Sequence, residues 1–574
     1  MPQELLQLDA LTIAFRGAEG DRAVVDRADL RIHAGETVAL VGESGSGKSL
    51  LARAIVGLLP GGARVTGGRL VVKGRPFPLD NPAELRVLRG RTVSYIFQEP
   101  LSSLNPALKV GTQLTEGLRF HTTLARNRCH RRALELLERV RIDEPRLVME
   151  KYPHELSGGM RQRVMIATSL MLEPALLVAD EPTTALDVVV QQQVLLLMQQ
   201  LAAEMGTAIL LITHDMSVVA MVADTVTVMQ RGSTVEQGPV ADILGSAHHP
   251  YTRELLAAAL QPRTDEAERP VHTVGKQPPI LQVRNLSVAF SRERGPATNV
   301  LEHVSFSVAP AETLGIVGES GSGKTTLSRA IAGLQAPSSG GIWFRGERLD
   351  RGGQRRQGLQ LIFQDPVGSL DPRMRVGDIV AEGLLFRAQW TAAERRQKAA
   401  QALEAVNLGS RFLDRKPHQL SGGQRQRVSI ARAIVTDPDI VLADEPVSAL
   451  DLTVQEQILE LFLALKQRIR FACLFISHDL DVVERIADRV GVLYRGVLVE
   501  IGPREAIFNR PQHPYTRTLL AATSHLVPAQ ETGYRLSGPD AAHPRACDSE
   551  PLPRSAPIRY RQVDEAGHLV ALSD

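Results

Sequence analysis

The stretch GESGSGKS at 42–49 recurs almost unchanged at 318–325 as GESGSGKT. In each copy a short apolar, β-branched run leads in, ETVALV (36–41) or ETLGIV (312–317), and LLARAIVGLL or TLSRAIAGL leads out. GxxxxGK[ST] between a strand and a helix predicts a phosphate-cradling loop. Its glycines let backbone N–H groups turn inward on phosphates at the positive end of the helix. The two cradles are Gly42, Glu43, Ser44, Gly45, Ser46 and Gly47, and Gly318, Glu319, Ser320, Gly321, Ser322 and Gly323. Lys48 and Lys324 would reach the β- and γ-phosphates, and the hydroxyls of Ser49 and Thr325 would hold Mg²⁺. A glycine-rich turn without a ligand is the other reading, and finding the pattern twice in one context counts against it.

The duplication runs through most of the chain. LSGG at 156–159 matches LSGG at 420–423, and ADE at 179–181 matches ADE at 443–445. His214 matches His478, and HPYTR at 249–253 matches HPYTR at 513–517. The boundaries fall as a first domain over 5–262, a linker over 263–279, a second domain over 280–527 and a tail over 528–574. Apolar strands such as ALLVAD and AILLIT alternate with helical stretches in both halves, which predicts an α/β fold with a mostly parallel sheet. TGGRLVVKGRPF (66–77) and SSGGIWFRGERL (338–349) read instead as antiparallel pieces, and the stretch before each LSGG reads as helical.

Composition narrows the function. A chain of 574 residues exceeds one core. A net charge of +2 and 4% aromatic residues give neither a basic field nor stacking platforms for nucleic acid. Three distant cysteines fit neither a disulfide framework nor a zinc site. No apolar run approaches the roughly 20 residues that span a bilayer, so work at a membrane would be done from its side.

Two further motifs carry chemistry. Asp180 and Asp444 end apolar strands and would bind Mg²⁺ through water, while Glu181 and Glu445 beside them would act as general bases on the attacking water. Ser157, Gly158 and Gly159, and likewise Ser421, Gly422 and Gly423, open helices and form anion sites without obstructing side chains. Each half already has a loop for its own phosphates. A second phosphate reader therefore points to the other half's nucleotide, with Ser157–Gly159 reading the one on Lys324 and Ser421–Gly423 the one on Lys48. A helix cap with no ligand is the alternative.

The order phosphate loop, FQ, LSGG, ADE, TALD or SALD and H-D resembles the ATPase subunits of ABC transporters, with two P-loop nucleotide-binding domains in tandem. The resemblance implies an intramolecular head-to-tail dimer holding two ATP molecules. It also implies that Phe15 and Phe290 stack on adenine, although a core phenylalanine at a strand end is the simpler alternative. Gln98 and Gln364 would touch Mg²⁺, Asp187 and Asp451 would couple the two sites, and His214 and His478 would hold the γ-phosphate and the attacking water.

FQEPLSSLNPALKVGTQL (97–114), FQDPVGSLDPRMRVGDIV (363–380) and the two HPYTR segments are similar to the peptide, nickel and glutathione importer ATPases. HPYTR itself reads as a helix start with proline at its first position and as a family marker, not as chemistry. The resemblance implies two integral-membrane permeases, an extracytoplasmic solute-binding protein, no nucleic acid, and a peripheral place on the cytoplasmic face of a bacterial inner membrane. Its tail departs from the family's cysteine-rich ending: Cys547 stands alone, and one thiolate cannot hold an iron–sulfur cluster, so none is expected. A tandem translation factor on the ribosome is the competing reading. The short linker, with adjacent prolines at 278–279, leaves no room for the long charged helix of such factors.

Overall fold

The run Thr37–Val41 is buried at every position and becomes an interior strand of a six-stranded sheet. The structure is a computed structural model. It describes residues 3–17, 20–43, 45–98, 103–183, 188–259, 278–290, 298–349, 358–366, 368–385, 390–447, 450, 452–522, 525–528, 534–537, 560–564 and 567–572. The chain divides into two compact units, one of 1–186, 190–262 and 524–538, the other of 187–189, 263–523 and 539–574.

In the first unit the main sheet runs in the order Ser233–Pro239, Thr225–Gln230, Thr37–Val41, Ala208–Ile212, Leu176–Asp180, Val93–Ile96. All neighbours pair in parallel except the edge strand Ser233–Pro239. The inner strands read as unbroken apolar runs because helices cover both faces of such a sheet. A four-stranded antiparallel sheet, ordered Gly20–His33, Glu4–Gly17, Ala63–Val72, Arg75–Phe77, packs Leu6, Leu8 and Leu30 into one core with Leu51 and Ile55 of the helix Lys48–Ile55. A second core lies in the helical region Val110–His121, Arg126–Arg139, Pro145–Glu150 and Gly158–Leu170. There Arg126–Arg139 buries Cys129, Ala133, Leu136 and Leu137, one apolar stripe at helical spacing.

The second unit repeats the plan, with antiparallel strands Leu281–Phe290, Thr298–Val308, Ser339–Phe344 and Glu347–Arg348 and a main sheet centred on Thr313–Val317. The antiparallel pieces expected over 66–77 and 338–349 are present in both units. The main sheet of the second unit has eight strands, because the tail contributes Leu569–Ala571, which pairs with Val497–Pro503, and then Tyr560–Gln562. Val497–Pro503 is consequently buried along almost its whole length, whereas its counterpart Ser233–Pro239 is half exposed. Glu500, with no exposed surface, accepts the backbone N–H groups of Gln512 and His513 at 2.8 and 3.0 Å, and His568 Nε2 of the tail lies 2.7 Å from its Oε1. Another part of the tail, the hairpin His525–Pro528 with Tyr534–Ser537, belongs to the first unit and lies against the helices Met216–Val222 and Val240–Ser246. Among the described residues no helix is long and apolar enough to cross a membrane.

Candidate active site

The chemistry-bearing residues of each unit follow the C-terminal ends of its parallel strands, so one edge of the sheet gathers segments far apart in sequence. In the first unit Thr37–Val41 runs into the phosphate loop, Leu176–Asp180 ends at the acidic pair, Ala208–Ile212 leads to His214, and Val93–Ile96 leads to Gln98. In the second unit Thr313–Val317, Ile440–Asp444, Ala472–Ile476 and Leu359–Ile362 do the same.

The phosphate loops need glycine for a physical reason. Gly42 has φ +150°, and a Cβ there would lie 2.2 Å from the carbonyl oxygen of Met229; at Gly318, with φ +154°, it would lie 2.1 Å from that of Leu493. The loop is thus pressed against the neighbouring strand, where no side chain fits. Lys48 is buried, and its Nζ donates to the carbonyls of Gly42 and Glu43 at 2.7 and 2.8 Å. Lys324 repeats this with Gly318 and Glu319 at 2.7 and 2.9 Å. Ser46 and Ser322 are buried within the loops, Gly47 and Gly323 begin the helices in the left-handed region, and Gly45, Ser320 and Gly321 complete the described turns. Ser44 lies outside the described residues.

Around the acidic pairs the two units agree closely. Gln98 Nε2 donates to Glu181 Oε2 at 2.6 Å, and His214 Nδ1 lies 3.2 Å from Glu181 Oε1. Gln364 donates to Glu445 at 2.8 Å, and His478 Nδ1 lies 3.2 Å from it. Both glutamates have left-handed backbone, φ 46° and 47°, a conformation that several turn residues of the chain share. The hydrogen bond to His214 holds the Glu181 carboxyl below its ordinary range against the opposing effect of burial. For Glu445 burial is the largest influence and works the other way, but His478 and the nearby Lys324 charge still bring it below the ordinary range. The partner imidazoles are raised: His214 chiefly by Glu181, His478 by Glu445 against burial. Each glutamate thus carries a carboxyl held below its ordinary range next to an imidazole held above its own.

Asp180 and Asp444 are buried, and burial raises both carboxyls. Ser49 Oγ donates to Asp180 Oδ1 at 2.9 Å, and Thr325 Oγ1 stands 3.4 Å from Asp444 Oδ1. A hydroxyl, a carboxylate and the neighbouring glutamine amide are the hard oxygen donors that Mg²⁺ takes alongside water and phosphate. The residues present fit that ion. Oδ2 of each aspartate has its own partner, Tyr95 Oη at 2.8 Å for Asp180 and Ser328 Oγ at 2.8 Å for Asp444.

Ser157 and Ser421 cap the helices Gly158–Leu170 and Gly422–Ile434, each accepting a backbone N–H at 3.3 Å from Met160 and Gln424 respectively. Gly159 and Gly423 sit where a Cβ would crowd Val190 at 3.1 Å and Val454 at 2.6 Å, so the glycines also serve packing within each unit. Gly158 and Gly422 are the first residues of the same helices. Phe15 is half-buried near the end of Glu4–Gly17, and Phe290 is exposed at the end of Leu281–Phe290. Asp187 and Asp451 lie outside the described residues.

The structure adds chemistry to HPYTR, which the sequence offered only as a marker. Its proline begins the helices Pro250–Ala259 and Pro514–Ala521, and the preceding histidine accepts the tyrosine N–H, at 3.2 Å for His249 and 3.1 Å for His513. The buried hydroxyls of Tyr251 and Tyr515 then accept the N–H groups of Glu43 and Glu319 in the phosphate loops, at 2.9 and 3.1 Å. Tyr95 and Ser328 were missed as well. The recurrence of tyrosine in both HPYTR segments was the one available signal, and nothing in the local pattern marks the other two.

Known proteins match the chain along most of its length. Residues 25–184 and 301–448 match the ABC transporter family, and 235–291 and 499–547 match the oligopeptide/dipeptide transporter C-terminal region. The chain is 43% identical over 569 residues to the glutathione import ATP-binding protein GsiA of Escherichia coli strain K12, covering 93% of this chain and 91% of that one. It is also 43% identical over 571 residues to GsiA of Salmonella choleraesuis strain SC-B67, covering 93% and 92%.

Proposed function

The chain belongs to the ABC transporter ATPases, and on that premise we propose that it powers import of a small peptide-like solute, glutathione among the candidates, through a separate pair of membrane permeases. The observation that carries this reading is the end-to-end similarity to glutathione import ATP-binding proteins, together with an oligopeptide-transporter region after each cassette. The permeases, a solute-binding protein that delivers the cargo and a place on the inner face of a bacterial inner membrane belong to the same reading.

In this reading each ATP lies between the phosphate loop of one cassette and the Ser-Gly-Gly of the other. Lys48 and the loop N–H groups bind the phosphates, Ser421–Gly423 close over them, and Phe15 stacks on the base; Lys324, Ser157–Gly159 and Phe290 do this for the second nucleotide. Asp187 and Asp451 link the two sites. Ser49, Gln98 and Asp180, or Thr325, Gln364 and Asp444, would hold Mg²⁺, which would supply positive charge against the phosphate oxygens. Glu181 or Glu445 takes a proton from water as the water oxygen bonds to the γ-phosphorus and the bond to the bridging oxygen of ADP breaks. His214 or His478 orients that water and the γ-phosphate. ATP binding draws the cassettes together and phosphate release lets them part, a ligand-driven population shift that becomes transport when a permease follows it.

The test is purification of the tagged chain from its native cells in mild detergent, with partners identified by mass spectrometry. Two integral-membrane permeases in equal amounts support the importer reading. Ribosomal proteins without permeases overturn it in favour of a translation role.

A further inference from the structure

We propose that Tyr95 and Ser328 are interchangeable positioning residues, each fixing from a different direction the second oxygen of the aspartate that faces the metal; this rests on the reading of Asp180 and Asp444 as Mg²⁺-holding residues.

The two cassettes repeat the same motifs on the same elements, so a difference confined to one contact is informative. Tyr95 and Leu361 occupy the same place, three residues before Gln98 and Gln364, and pair across the sheet with Val178 and Leu442, two residues before Asp180 and Asp444. Ala52 and Ser328 also occupy the same place, one turn after Lys48 and Lys324 on the phosphate-loop helix. The first cassette therefore holds tyrosine with alanine, and the second leucine with serine. Each combination leaves one hydroxyl, and in each cassette that hydroxyl stands 2.8 Å from aspartate Oδ2. In the first it comes from the sheet, in the second from the helix.

A buried carboxylate oxygen without a donor is costly, and both aspartates are almost wholly removed from solvent. Oδ1 takes the phosphate-loop hydroxyl of Ser49 or Thr325, so the torsion of the carboxylate is set only when Oδ2 is held too. The second cassette has the longer contact at Oδ1, 3.4 Å against 2.9 Å, and leans more on Ser328. Ser328 Oγ also lies 3.0 Å from the carbonyl of Thr325, but the bond to the carboxylate is charge-assisted and the stronger use of its one hydrogen. The tyrosine ring is itself held by packing, tilted against Phe97 with ring centroids 4.6 Å apart. Leu361 fills the corresponding place against its own core with no polar atom.

The experiment uses the full-length chain and a fluorescent ATP analogue, titrated with Mg²⁺ after EDTA treatment. The first site is read with the second disabled by Lys324→Ala, and the second with the first disabled by Lys48→Ala. Tyr95→Phe, which removes one oxygen and keeps the ring, raises the Mg²⁺ concentration for half-maximal binding about tenfold, as expected for one hydrogen bond to a carboxylate. Ser328→Ala does the same at the second site, while binding in EDTA stays unchanged in both. Tyr95→Leu impairs the first site in the same way, and adding Ala52→Ser, which rebuilds the second cassette's arrangement in the first, restores it. An unchanged Mg²⁺ midpoint in Tyr95→Phe, or a Tyr95→Leu/Ala52→Ser chain no better than Tyr95→Leu, overturns the proposal. Nucleotide binding in the parent chains that is indifferent to Mg²⁺ overturns instead the reading of the two aspartates.

Discussion

The hydroxyl of Tyr251 accepts the backbone N–H of Glu43 at 2.9 Å, joining the segment after the catalytic core to the phosphate loop across 208 positions of sequence. Tyr515 does the same for Glu319 at 3.1 Å. Phenylalanine at either position keeps the buried ring and leaves the N–H without its acceptor, which costs about 1–2 kcal/mol. Tyr251→Phe is expected to weaken ATP binding at the first loop about tenfold when the cost falls on the nucleotide-binding conformation. Fluorescent-nucleotide titration in a Lys324→Ala chain measures it, and unchanged affinity would show that the contact serves only the fold.

The glutamate–histidine–glutamine arrangement is the same in both cassettes, with glutamate to glutamine-amide distances of 2.6 and 2.8 Å. Both sites are accordingly expected to hydrolyse ATP. Glu181→Gln and Glu445→Gln should each remove half or more of the phosphate released per second, and the double variant about 100-fold or more. If one single variant kept most of the turnover while the other abolished it, the sites would be inequivalent.

The pH dependence follows from the same pair. In the proposed mechanism Glu181 works ionised, and its carboxyl is held below the ordinary range chiefly by the hydrogen bond from His214. Removing His214 leaves burial unopposed by that bond, so the carboxyl titrates at a higher pH. For a base needed in its ionised form, the acid-side fall in kcat must then move upward. In His214→Ala/His478→Ala chains the acid limb of the pH–rate profile should lie at higher pH than in the parent. A limb that stays in place would remove the histidines from control of the base.

His568 of the tail lies 2.7 Å from Glu500, and neither has appreciable exposed surface. His568→Ala takes away one hydrogen bond to a buried carboxylate, a loss of about 2 kcal/mol, and loosens the strand Leu569–Ala571 from Val497–Pro503. Limited proteolysis should then release the strands Tyr560–Gln562 and Leu569–Ala571 sooner, with the first cassette's melting unchanged. His568→Gln, which keeps a donor, should recover part of the protection.

Much of the catalytic edge was legible because its parts are local. GESGSGKS works through backbone N–H groups at a strand-to-helix turn, and Gly42 and Gly318 are glycine because the next strand's carbonyl stands 2.2 and 2.1 Å from where a Cβ would go. Asp180 and Glu181 were readable for the same reason, since they directly follow an apolar strand. Duplication strengthened every motif, because two independent stretches repeat one order. Tyr95 gave no such sign: a tyrosine in YIFQ looks like any strand aromatic, and its role lies in an oxygen 85 positions away.

By itself, then, the sequence determined the two phosphate loops, the acidic pairs, the helices opened by Ser-Gly-Gly and the parallel-sheet plan, all set by strand period, glycine geometry and short spacings. Only the tertiary structure decided that HPYTR reaches back to the phosphate loop, that Asp180 is held by a strand tyrosine and Asp444 by a helix serine, and that the tail extends the second sheet beside Glu500. Those choices are contacts between residues tens to hundreds of positions apart, and a buried donor or acceptor takes whichever partner the packing of the sheet brings within about 3 Å.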